Sequence, residues 1–153
     1  MAGNLRVTLI IMAALVAVLL ALGACSLALG ARVPTAVKIE IGSDEFASQN
    51  NVSRTVSVPV GGTLTIALGA NPSTGFSWSE PPAVSDAAVL EQTSNKLLLA
   101  EAKPIVGQSA TQAWTMRAIQ PGTSTVNMTY GRPWPGGKKG IWTFEVNVTV
   151  KEK

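Results

Sequence analysis

Ile141-Trp142-Thr143-Phe144-Glu145-Val146-Asn147-Val148-Thr149-Val150 alternates side chains with a period of two along its whole length. That period puts Trp142, Phe144, Val146, Val148 and Val150 on one face of an extended strand, and Ile141, Thr143, Glu145, Asn147 and Thr149 on the other. Upstream the same pattern recurs. Val37, Ile39 and Ile41 alternate with Lys38 and Glu40, and Val56, Val58 and Val60 with Ser57 and Pro59. Leu64, Ile66 and Leu68 are spaced by residues such as Thr65; Trp114, Met116 and Ala118 share a face, as do Val126, Met128 and Tyr130. Gly, Pro, Asn and Ser clusters separate the runs, which is the pattern of an all-β domain. Seven or so short strands of this kind predict an immunoglobulin-like sandwich of two sheets. Gly61-Gly62 between two alternating runs predicts a hairpin, and Pro59, which has no N–H to donate, predicts an edge strand. Residues 79–88, with Pro81-Pro82, are expected to be a connecting loop, and no helix is expected beyond the N-terminal segment.

Two segments between these runs are built to bend and to display rings. In Asn71-Pro72-Ser73-Thr74-Gly75-Phe76-Ser77-Trp78, Pro72 fixes its own φ and pushes Asn71 out of the helical region, while Gly75 is free to take a positive φ. The chain must turn sharply there, with the short polar side chains of Asn71 and Thr74 able to bond across the turn. Phe76 and Trp78, two apart, then share a strand face. In Tyr130-Gly131-Arg132-Pro133-Trp134-Pro135, two prolines bracket a large ring beside a guanidinium, the make-up of a binding hot spot. Trp78, Trp114 and Trp142 lie in alternating runs and are expected in the core.

This pair of segments resembles the signature of the chagasin-like inhibitors of papain-type cysteine peptidases, whose loops carry Asn-Pro-Thr-Thr-Gly-Tyr/Phe and Arg-Pro-Trp/Phe. Ser73 stands where the family pattern has threonine. The family's third loop, a Gly-x-Gly-Gly pattern, falls by spacing from Trp114 on Gly107, Gln108, Ser109 and Ala110, where only the first glycine is kept. Positive φ is costly at the other two positions, although small side chains still permit close approach. The resemblance spans residues 37–150 and implies the same sandwich with three loops side by side at one end. It implies that residues 71–76 (Asn71, Pro72, Ser73, Thr74, Gly75 and Phe76) enter the peptidase cleft. Gly107 to Ala110 would flank them on one side, and Arg132, Pro133 and Trp134 on the other.

The N-terminus reads as an export signal. Arg6 precedes an apolar run over residues 7–22, followed by Leu22-Gly23-Ala24-Cys25, which resembles a bacterial lipobox. The expected organisation is a signal peptide at 1–24, lipidation at Cys25, a tether at 25–35 and the inhibitor domain at 36–153. The apolar stretch runs on to Ala31 and is long enough to span a bilayer, so an uncleaved anchor is the competing reading. Either way the domain stands outside the cytoplasm at the cell envelope. Cys25 is the only cysteine, so no disulfide forms within the chain. About 120 residues remain after the leader, enough for one hydrophobic core.

Composition excludes much chemistry. The 153 residues include no histidine, which removes His-based triads and most zinc sites. The nine carboxylates are scattered, with no spacing that argues for a glycosidase pair. No glycine-rich phosphate loop opens a helix, and a formal charge of +3 is too weak to imply nucleic acid. The expectation is therefore a monomeric protein inhibitor with no catalytic residue, no metal and no cofactor, whose partners are a papain-like peptidase and a membrane. A tethered immunoglobulin-like adhesion or assembly module is the alternative. Three glycosylation sequons, at Asn51, Asn127 and Asn147, matter only in a host that uses them.

Overall fold

A computed structural model describes residues 35–99 and 110–152. The elements are β1 (Ala36–Ile41), α1 (Ser43–Ser48), β2 (Asn51–Pro59), β3 (Thr63–Ala70), a 3-10 turn (Pro72–Thr74), β4 (Ser77–Trp78), β5 (Ala83–Val84), β6 (Leu90–Leu99), β7 (Ala110–Ala118), β8 (Gly122–Gly131) and β9 (Trp142–Lys151). They form two sheets. The first runs β1-β3-β7-β6; the second runs β2-β9-β8-β4, with β5 also on β8. Both edge strands β1 and β2 pair in parallel, β1 with β3 and β2 with β9, while the remaining pairs are antiparallel.

The alternating runs supply the core. Ile39 and Ile41, Leu64, Ile66 and Leu68, Trp114, Met116 and Ala118, Val126, Met128 and Tyr130, and Phe144 through Val150 at every second position are all buried. They form one cluster between the sheets. Trp78 and Trp114 are buried as expected, and Trp142 is half-buried against the cluster. β2 is an edge strand, and Pro59 ends its ladder opposite Lys151.

Three expectations are corrected. The Gly61-Gly62 turn does not close a hairpin, because β2 and β3 belong to different sheets. Val60 N–H still donates to Lys151 O of the second sheet at 2.8 Å, whereas Gly61 N–H donates to Ala118 O of the first at 2.9 Å. The chain changes sheets between two successive residues. Gly61 takes φ 75° to do so, and a Cβ on Gly62 would stand 2.8 Å from Pro59 O, so the corner needs both glycines. Second, a six-residue helix, α1, follows β1. Its single buried residue, Phe46, has no exposed surface and packs on Trp78 and Trp142, with centroids 5.1 and 5.3 Å apart. Third, residues 79–88 are not loop throughout, since Ala83 and Val84 pair with Asn127 and Val126 of β8 as β5; β6, which follows, shows no alternation because its register slips between Gln92 and Ser94 and only Leu90 in it is buried.

Candidate inhibitory edge

The strand ends place the site. β3 ends at Ala70, paired with Ala110 at the start of β7, which in turn pairs with Leu99 at the end of β6. On the second sheet, Ser77 of β4 pairs with Gly131, and Tyr130 of β8 pairs with Trp142 of β9. The connection 71–76 and the connection 132–141 therefore leave neighbouring strand ends.

The first connection is a wound turn. Pro72–Thr74 form one 3-10 turn closed by Gly75, whose φ is 77°. Thr74 N–H donates to Asn71 O at 3.2 Å and Gly75 N–H to Pro72 O at 3.0 Å. Side chains tighten it: Thr74 Oγ1 donates to Asn71 O at 2.6 Å, and Ser73 Oγ to Asn71 Oδ1 at 2.6 Å. At its base, Trp78 Nε1 donates to Gly69 O at 3.0 Å, tying the outgoing limb to the incoming one. Asn71 N–H, beyond the end of the β3 ladder, donates to the Tyr130 hydroxyl at 2.8 Å.

The second connection folds onto the first. The Arg132 guanidinium lies 4.6 Å from the centre of the Phe76 ring and 5.7 Å from that of Trp134, and Arg132 Nη2 donates to Thr74 O at 3.4 Å. Arg132 Nε is buried with no hydrogen-bond partner among the described residues, so the side chain is held chiefly by ring faces, a geometry that favours a cation over an aromatic quadrupole. Trp134 lies across Gly75: a Cβ there would stand 2.5 Å from its Cη2. Even so, Trp134 is 47% exposed, leaving much of its ring free for a partner. The loop is closed from within by Lys139, whose Nζ donates to Arg132 O at 2.6 Å and to Trp134 O at 3.0 Å.

Of the residues expected at the site, Asn71, Pro72, Ser73, Thr74, Gly75, Phe76, Arg132, Pro133 and Trp134 come together at one edge. Gly107, Gln108 and Ser109 lie outside the described residues. Ala110 is not a loop residue; it opens β7 with its side chain buried. The signal was present, since Ala110 is in phase with Trp114, Met116 and Ala118. Two residues were missed as parts of the site. Lys139 reads in sequence as a solvated loop charge, and Tyr130 as core alone; Lys139 acts through carbonyls of its own loop and Tyr130 through the amide of a residue far away in the chain, and neither bond leaves a periodic pattern in the sequence.

Comparison with known proteins gives the lineage. Residues 57–148 match the family model described as Chagasin family peptidase inhibitor I42, over more than half of the chain. The chain belongs to the chagasin family. Chagasin of Trypanosoma cruzi is 35% identical over 98 residues, covering 60% of this chain and 84% of that protein. Amoebiasin-2 of Entamoeba histolytica is 32% identical over 91 residues, covering 58% of this chain and 70% of that one. Among solved structures, a cysteine protease inhibitor from Entamoeba histolytica superposes with a TM-score of 0.58 at 20% identity, over 77% of this chain and 99% of that one. PbICP-C, solved in complex with falcipain-2, gives 0.53 at 21% identity, over 76% and 98%. The immunoglobulin-like sandwich is thus the family's fold, and the motif segments 71–76 and 132–134 fall inside the matched region.

Proposed function

We propose that this chain is a tight, reversible inhibitor of papain-like cysteine peptidases, tethered to a membrane by its N-terminus. The observation that carries the reading is the clamp at the sandwich edge: a wound turn at 71–75, with Phe76 and Trp134 gripping one guanidinium between them. A peptidase cleaves a backbone that lies extended with its carbonyl toward the thiolate. The 3-10 turn folds back on itself, so it fills the cleft without offering a bond in that pose. Membership of a peptidase-inhibitor family supports the same reading. The turn is already hydrogen-bonded in the free protein, which lowers the ordering cost of binding, and Trp134 supplies the exposed ring that anchors such interfaces. Residues 107–109 are assigned to the opposite flank of the cleft on family resemblance. The chain acts as a monomer and without a cofactor.

The deciding experiment is titration of papain with the purified chain. Reversible inhibition near one to one, with the inhibitor recovered uncut, is expected. Absence of inhibition at micromolar concentration would overturn the reading in favour of an adhesion or assembly module. For the tether, we assign lipidation to Cys25 on Leu22-Gly23-Ala24-Cys25 after the apolar run. Mass spectrometry of the mature protein should find an acylated cysteine as first residue; an intact Met1 or Ala2 terminus would point to an uncleaved anchor instead.

A further inference from the structure

Taking the inhibitor reading as given, we propose that Tyr130 is the positioning residue of the inserted turn: its hydroxyl, delivered from the core, sets where residues 71–74 stand and thereby sets affinity for the peptidase. Tyr130 is 2% exposed, so a partner cannot reach it. Its ring is confined on several sides. It stacks on Trp142 at 4.7 Å and 10°, and on Phe76 at 5.7 Å and 23°, and lies tilted against Trp78 at 5.0 Å. Trp142 is in turn stacked on Phe46 of α1. A phenol held this way carries its oxygen to one point in space.

That point is the foot of the turn. The hydroxyl accepts the Asn71 N–H at 2.8 Å, and Asn71 O in turn accepts from Thr74 Oγ1 at 2.6 Å and from the Thr74 N–H at 3.2 Å. It thus holds the first residue of the turn, and the turn is closed on that residue through Thr74. Asn71 sits one residue beyond the β3 ladder and before Pro72, which has no N–H. The line of planar groups Phe46, Trp142, Tyr130, Phe76, Arg132 and Trp134 runs from the buried helix to the exposed ring. Tyr130 is the buried member that bonds the turn backbone, at its first residue, and so fixes the height of the turn, while Arg132 reaches Thr74 O from the exposed side.

The test is Tyr130→Phe in the full chain, solubilised in detergent, assayed against papain alongside the parent. The ring stack survives this change and the hydroxyl does not. The inhibition constant should rise about tenfold, the scale of an amide left without its partner, with the change in the dissociation rate. Hydrogen exchange should accelerate in peptides covering 69–76 while those covering β8 and β9 keep their protection. An unchanged inhibition constant would overturn the positioning role while leaving the inhibitor reading intact; a parent chain that fails to inhibit papain would instead overturn the reading on which the role rests. Loss of protection throughout β8 and β9 would make Tyr130 a core residue only, and would also overturn the proposal. Should the variant unfold, single-amide exchange in the parent asks the same question: the Asn71 N–H, which lies beyond the β3 ladder and is bonded to the Tyr130 hydroxyl, should be as protected as the core amides of β8, and exchange at Asn71 as fast as at the exposed 132–141 connection would overturn the proposal.

Discussion

Trp134 and Trp142 are both large rings within the same stretch of chain, and their surroundings divide their roles. Trp134 rests on Gly75 and Arg132 with nearly half its surface exposed, so its removal costs the fold little, about 1 kcal/mol at most for the lost cation contact. Trp134→Ala should weaken papain inhibition by about 2 to 4 kcal/mol, roughly thirtyfold or more, with hardly any change in melting temperature. Trp142 is sandwiched between Phe46 and Tyr130. Trp142→Ala should cost about 3 kcal/mol or more of folding stability. Equal losses of melting temperature, with inhibition by the Trp134 variant intact, would mean that the edge is not a contact surface. Gly75 permits a sharper probe. Its φ of 77° excludes β-branched residues, and any Cβ would collide with Trp134. Gly75→Val should leave the sandwich cooperative in thermal unfolding yet displace both loops and weaken inhibition at least tenfold, since left-handed backbone costs an L-residue about 1 to 2 kcal/mol before any clash.

At the scale of elements, α1 is the least self-sufficient. Six residues are far too few for a helix to persist alone, and Gly42 at its start provides no side-chain cap. Asp44 and Glu45 in the first turn favour its positive end, and Glu45 also pairs with Arg54 on β2. That pair is partly exposed and contributes no more than about 1 kcal/mol. Burial of Phe46 between Trp78 and Trp142 is therefore what holds the helix in place. Phe46→Ala should destabilise the domain by about 3 to 5 kcal/mol in denaturant unfolding, whereas Arg54→Ala should shift it by less than about 1. Similar effects from the two variants would show that the helix is held by its charges instead. Sequence pattern overlooks this element because one buried aromatic in six residues has no period to detect. It overlooks the sheet change at Gly61-Gly62 for a related reason: a two-glycine turn between alternating runs looks the same whether the second run pairs with the first or crosses to the other sheet.

For the molecule as a whole, the absence of histidine means that no side chain of ordinary pKa titrates between about pH 5 and 8. Burial raises Tyr130 above the ordinary 10.0 of tyrosine, with the Asn71 N–H bond and the nearby Thr74 hydroxyl offsetting part of the shift. Above that ordinary value the unfolded chain loses a phenol proton that the folded chain keeps, so the unfolded state binds fewer protons and stability falls as pH rises. The contribution is intact below pH 10 and disappears as pH climbs through the raised value. Melting temperatures from pH 8 to 11 should decline more steeply for the parent than for Tyr130→Phe; parallel declines would remove Tyr130 from the alkaline limb. Much of this molecule was determined locally. Alternation at residues 142–150 and its counterparts dictates strands with one buried face, because side-chain direction in a strand depends only on parity. Pro72, Gly75 and the bracketed Trp134 likewise dictate a turn and a displayed ring from their own backbone limits. Which strands share a sheet was decided only in three dimensions, as was the bond from Asn71 to a tyrosine 59 residues away. The physical reason is that pairing and anchoring depend on where strand ends meet in space, and residues distant in the chain acquire that proximity only when the two sheets close on a common core.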